Sequence, residues 1–184
     1  MGDYTELAIN TVISESMAGR DTIALLEKMF GELDKPTIAD VPARHVEHPF
    51  FSTERWDWCV RSGGSAYFKS EPARIFRARG RGLYQLLLWT NIKNYCDEWE
   101  KLLRWLTPMI PSRPWPDHIG HMRFERSEFP TMLYIRSGVL YQVVPGNSAG
   151  GTLQELLDAT DRETATKKNQ ENVTLPLADH AAPE

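Results

Sequence analysis

Gly80-Arg81-Gly82 followed by Leu83-Tyr84-Gln85-Leu86-Leu87-Leu88-Trp89 decides the fold class. The two glycines supply the positive-φ positions of a tight turn. The seven residues after them carry apolar side chains on both of the faces that alternate along a strand, as expected deep inside a sheet. Upstream, Ala73–Arg79 reads as the strand entering that turn, Pro72 interrupts, and Ser65–Lys69 is a further run. Before these, Trp56, Trp58 and Val60 alternate with Arg55, Asp57, Cys59 and Arg61, which predicts a half-buried strand turning back through Gly63-Gly64.

Downstream, Thr90-Asn91 leads into a helix with Asn94 as its N-cap, Tyr95, Trp99, Leu102, Leu103 and Leu106 along one face, and Pro108 at its end. Ile119–Arg126 then reads as a strand, and Met132–Arg136 with Val139–Val144 as a hairpin turning at Ser137-Gly138. The N-terminal third reads as two helices. Ile9, Val12, Ile13 and Met17 recur at helical spacing and stop at Gly19; Ile23, Leu26, Met29, Phe30 and Leu33 form a second stripe, stopped by Pro36.

The pattern predicts one α+β domain over 1–160, with a helical hairpin over 1–34 and a sheet with one inserted helix over 45–144. The sheet is expected to be largely antiparallel, with six or seven strands and three main helices packed mainly on one face. After Pro145 the composition falls to small polar residues, and 161–184 reads as a disordered acidic tail.

Composition narrows the classes. A chain of 184 residues buries roughly 70% of its unfolded surface, enough to fold without metal or disulfide. Lys+Arg 21 against Asp+Glu 25 gives −4, which excludes a generally basic nucleic-acid coat. Two cysteines make no disulfide framework, and no run of 18 apolar residues occurs, so the expected location is cytoplasmic. The charge is divided, however: residues 1–40 hold 3 basic and 8 acidic side chains, 41–81 hold 8 and 4, and 145–184 hold 3 and 7.

The basic middle contains the sharpest charge feature, Arg74-Ile-Phe-Arg77-Ala-Arg79-Gly-Arg81. On a strand Arg77, Arg79 and Arg81 share one face, where three guanidiniums repel unless an anion meets them. Either the acidic ends of the same chain pair with them, or they bind an external anion such as phosphate, with Tyr67, Phe68 and Tyr84 near enough to stack on bases. The strand–helix junction Thr90, Asn91, Asn94 is a second anion candidate, because a helix N-terminus presents free N–H groups.

Two His-x-x-His pairs, His45/His48 and His118/His121, have zinc-ligand chemistry but lie in extended or turning stretches, so a metal site is not expected. Cys96 falls near a helix start but among Asp97, Glu98 and Glu100, which disfavour a thiolate. Pro108-x-x-Pro111-x-Arg113 matches a short proline-rich ligand pattern and reads as a stiff loop. Arg113 beside Trp115 has the composition of a binding hot spot.

With no catalytic constellation, the expected function is a non-enzymatic intracellular interaction protein (inhibitor, adaptor or regulator) binding a protein partner through an aromatic and arginine surface. No cofactor is expected and no membrane association. Single-stranded nucleic-acid or nucleotide binding through Arg77, Arg79 and Arg81 is the alternative. A small-molecule enzyme at the Thr90–Asn94 junction stands third.

Overall fold

Thr5, Ile9, Thr11, Val12 and Ile13 place five β-branched side chains in ten residues, and Thr5–Ser14 is a strand, β1, in the computed structural model. This overturns the first of the two expected helices. Stiff χ1 angles favour the pleated backbone, and Leu7, Ile9 and Ile13 are buried at alternate positions. The structure describes residues 4–33, 35–61, 73–111 and 113–144. The expected turn at Gly63-Gly64, the run Ser65–Lys69 with Tyr67 and Phe68, and the tail over 161–184 lie outside these.

β1 passes directly into a single helical turn, α1 (Glu15–Ala18), and Gly19 at φ +79° stops it, as its sequence position predicts. The second expected helix is present as α2 (Arg20–Phe30), with Ile23, Leu26, Met29 and Phe30 buried. Arg44 closes the α1–α2 corner. It forks onto Asp21 at 2.8 and 2.5 Å, and donates to the Ala18 carbonyl at 2.5 Å.

Residues 41–61 run as successive turns and end in a 3₁₀ turn at Cys59–Arg61, so the strand expected over 55–61 is not formed. Cys59 and Val60 are both buried, which breaks alternation. Aromatic packing holds the segment instead. Phe51 sits edge-on to Trp56 and to Trp105, with ring centroids 5.1 and 5.0 Å away, and Phe50 stacks on Trp105 at 5.6 Å.

The expected hairpin is present as β2 (Ala73–Gly80) and β3 (Leu83–Ile92), turning through Gly80, Arg81 and Gly82, all at positive φ. α3 spans Glu98–Leu106. Its N-cap position is Asp97, at φ +54°, and not the expected Asn94, which lies ahead of the helix and accepts from the Trp99 amide at 3.1 Å. The prolines after α3 bracket Met109 and Ile110, both buried, so that stretch is part of the core rather than a free proline-rich ligand. β4 (Asp117–Phe124), β5 (Thr131–Arg136) and β6 (Val139–Val143) form a meander, the last hairpin turning at Ser137 and Gly138.

The six strands form one antiparallel sheet in the order β2-β3-β1-β4-β5-β6. The N-terminal segment assigned to a helical hairpin therefore supplies the strand that joins β2–β3 to the meander. Leu7, Ile9, Ile13, Leu86, Leu88, Leu133 and Ile135 point to one side and form a single core with α2, α3 and the 41–61 segment. The outward-pointing residues remain half-buried or exposed over much of the sheet. No described helix is long and apolar enough to cross a membrane.

Gly120 sets how closely β4 can approach β1. A Cβ there would lie 1.9 Å from the Ala8 carbonyl oxygen, which only a backbone shift could relieve. Gly120→Ala is expected to cost about 3 kcal/mol or more, lowering Tm by roughly 10 °C in a domain of this size. Gly80→Asn, at positive φ but with nothing within 4 Å of the added Cβ, is expected to cost less than about 1 kcal/mol. Thermal unfolding of the two variants checks the contrast; equal losses would mean that the close approach at Gly120 does not hold the sheet.

Candidate functional site

The outward face of the sheet is built in rows by strand register. Ala73, Trp89, Ala8, His121, Met132 and Val143 form one row across all six strands. Ile75, Leu87 and Asn10 form the next row toward the β2–β3 turn, and Arg77, Gln85 and Val12 the one after. Trp89 is 41% exposed, Ile75 38% and Val12 36%. The sequence suggests a buried Trp89. The structure instead puts its ring on the open face, because β3 has apolar residues for two layers while the helices cover only one.

Trp89 is fixed in place. Its indole N–H donates to Glu6 at 2.9 Å, and His121 Nε2 lies 3.3 Å from the other oxygen of the same carboxylate. Glu6 is only 6% exposed, so a buried carboxylate anchors both rings. The sequence marks His121 only as half of a candidate metal pair with His118, and nothing in it joins His121 to Glu6. Their pairing depends on the β1–β4 register, and a strand at the position of Glu6 was itself unexpected.

A groove crosses this face where β1 and β4 part. β1 pairs with β3 along its full length but with β4 only from Thr5 to Ile9, the ladder ending at Ile9↔Gly120. Two hollows of about 330 and 390 Å³ lie there and share Asn10, His118 and Ile119. Leu87 and Trp89 line the first; Val12, Arg113 and Asp117 line the second together with Ile110 and Ile135 of the core, so the second is walled from the helix side as well. Among the described residues, the walls hold no nucleophile paired with a base.

The expected anion site over Arg74, Arg77, Arg79 and Arg81 divides in two. Arg74 points to the helix side and donates to the Phe30 carbonyl at 3.1 Å. Arg81 occupies the turn at φ +54°. Arg77 and Arg79 share the outward face as the alternation predicts, and both lean on the side-chain oxygen of Gln85. Pairing with the chain's own acidic residues is not seen among the described residues. Asp21 takes Arg44, Asp40 takes Lys28, Asp57 takes Lys35, Glu15 takes Arg20 and Glu98 takes Arg55.

The Thr90–Asn94 junction does not form an anion pocket with these arginines. Thr90 is buried toward the core and Asn91 is buried opposite Glu6. The junction is occupied by the chain's own carboxylates: Glu98 accepts from the Cys96 amide at 3.0 Å and from Arg55, and Glu100 accepts from Asn94 at 2.9 Å. Arg79 and Arg81 lie at the turn end of the hairpin, the full length of β3 away from Ile92. Arg113 reaches the groove, whereas Trp115, 74% exposed, lines neither hollow. The loop between them is tied to the β5–β6 turn, the Ser137 amide donating to the Arg113 carbonyl and Arg136 to that of Pro114.

The histidine pairs separate. His45 bonds the Thr22 hydroxyl at 3.0 Å against the edge of Trp105, while His48 Nδ1 accepts from the Phe50 amide at 3.2 Å. His118 packs on Tyr134, and no group of three metal-ligating side chains occurs among the described residues. Cys59 is buried, which pushes its thiol pKa up, and Cys96 is exposed ahead of α3 rather than in its first turn.

Burial lowers the pKa of both His45 and His48 below the ordinary 6.5, with the Arg44 charge adding to the shift at His45. The unfolded chain therefore binds more protons than the fold once pH drops below about 6.5, and stability falls with it. Tm is expected to be level from pH 8 to 7 and to decline toward pH 5. His48→Asn, which keeps an acceptor for the Phe50 amide without a titrating ring, should flatten that decline. An unchanged slope would remove His48 from this account. Comparison of the chain with family models, with curated proteins and with solved structures finds no match.

Proposed function

We propose that this chain is a non-enzymatic interaction protein, an inhibitor, adaptor or regulator, that binds a protein partner across the open face of its sheet. One observation carries the reading: Trp89, Ile75, Leu87 and Val12 form an apolar centre left uncovered on an ordered sheet, with arginines at its corner. An exposed tryptophan held rigid by a buried carboxylate loses little entropy on contact, and aromatic and arginine side chains dominate binding hot spots. The grooved surface between β1 and β4 gives this face relief against which a partner can register. The site expected at Arg113 and Trp115 contributes through Arg113, at the far end of the groove.

Affinity capture from a native lysate, with and without nuclease, tests the reading. The wild-type chain is expected to retain a stoichiometric protein after nuclease treatment, and Ile75→Asp to lose it while keeping the wild-type Tm within about 2 °C. Ile75 stands on an edge strand and is already partly exposed, so the charge is tolerated in the free fold. An eluate that vanishes with nuclease, or equal recovery by Ile75→Asp, would overturn the proposal.

A further inference from the structure

We infer that Arg77 and Arg79, held by Gln85, form a carboxylate-binding fork, and that the segment docking on the open face presents aspartate or glutamate to it. The inference rests on the open-face reading and adds the chemistry of the partner. Gln85 Oε1 lies 3.3 and 3.2 Å from Nε and Nη2 of Arg77, and 3.2 and 2.6 Å from the same atoms of Arg79. A neutral amide oxygen has two lone pairs, whereas the two guanidiniums bring ten N–H donors and two positive charges. The acceptor is oversubscribed, and among the described residues no carboxylate lies within 4 Å of either arginine to answer the charge.

The arrangement is nonetheless organised. Gln85 Nε2 lies 3.4 Å from Asn10 Oδ1 in an orientation that makes it the donor, which turns Oε1 toward β2. The two guanidiniums are thereby gathered around one point on the surface instead of spreading into water. Like charges brought together in this way repel, and an incoming carboxylate relieves the repulsion while offering two oxygens for bidentate contact.

Charge complementarity selects the occupant. The fork lies beside Ile75 and Leu87, so a ligand reaching it also covers apolar surface, as a protein segment does. A nucleic-acid strand needs a continuous track of cations along its phosphates, and here two arginines occupy one corner of a chain whose net charge is −4.

The direct probe is poly-L-glutamate added to the full-length chain at low salt, read by NMR at the arginine Nε–H signals, with poly-L-glutamine and an oligothymidylate as comparisons. Poly-L-glutamate is expected to shift Arg77, Arg79 and the Gln85 side-chain amide first, and the Arg77→Gln/Arg79→Gln variant to bind it at least tenfold more weakly. Ile75→Asn, which places no carboxylate beside Arg77, should also lose the captured protein yet keep the fork's signals in place and still respond, so loss of the captured protein with an intact glutamate response separates the two ideas. Equal binding by the double variant, shifts spread evenly over all arginines, or tighter binding of the oligothymidylate would each overturn the carboxylate fork.

Discussion

The pairing of β1 on both of its edges is the constraint on which the molecule depends. Its ladder with β3 runs the whole length of both strands, and its ladder with β4 joins that hairpin to the meander. Without it the sheet is two separate pieces, a two-stranded hairpin that is marginal by itself and a three-stranded meander. Gly120 makes the second pairing possible by letting β4 approach the Ala8 carbonyl, and Trp99 supports β1 from the helix side, its indole donating to the Thr5 carbonyl at 3.0 Å. Where β4 bulges at His118–Gly120 the two strands part, so the geometry that closes the sheet also opens the groove.

How far this was legible in the sequence differs along the chain. The β2–β3 and β5–β6 hairpins could be read because glycine fixes a turn locally, and Gly80, Gly82 and Gly138 all adopt the positive φ that their positions imply. α2 and α3 could be read because an amphipathic stripe is itself local. β1 was misread because Ile9, Val12, Ile13 and Met17 satisfy a helical period, while Leu7, Ile9 and Ile13 also satisfy a strand's. Only pairing with partners some 80 and 110 residues away decides between them. The 41–61 segment was misread for the opposite reason. Trp56, Trp58 and Val60 alternate in sequence but not in burial, since Trp58 is exposed and Cys59 buried, and Trp56 packs on Phe51 in the cluster around Trp105 of α3.

The candidate site shows the same division. That Arg77 and Arg79 share a face follows from strand geometry alone, and the structure has them so. That they lack a carboxylate among the described residues could not be foreseen from net charge. An acidic N-terminal segment flanking a basic one suggests mutual neutralisation. In the fold, Asp21 and Asp40 are engaged by Arg44 and Lys28, which lie nearer along the chain and on the opposite side of the sheet from the arginine pair.

The apolar content of β3 connects the fold to the proposed docking face. Its inward side chains, Leu86 and Leu88, are fully buried by one layer of helices and turns. Its outward ones, Leu87 and Trp89, have the same apolar character and no described second layer over them. Among the described residues the strand is apolar on two faces while one layer covers it, which is the observation that the proposed docking face starts from. Glu6 makes the point sharper. A buried carboxylate costs desolvation, and Glu6 offsets it with the Trp89 indole on one oxygen and His121 on the other, which fixes the ring on the face proposed for docking.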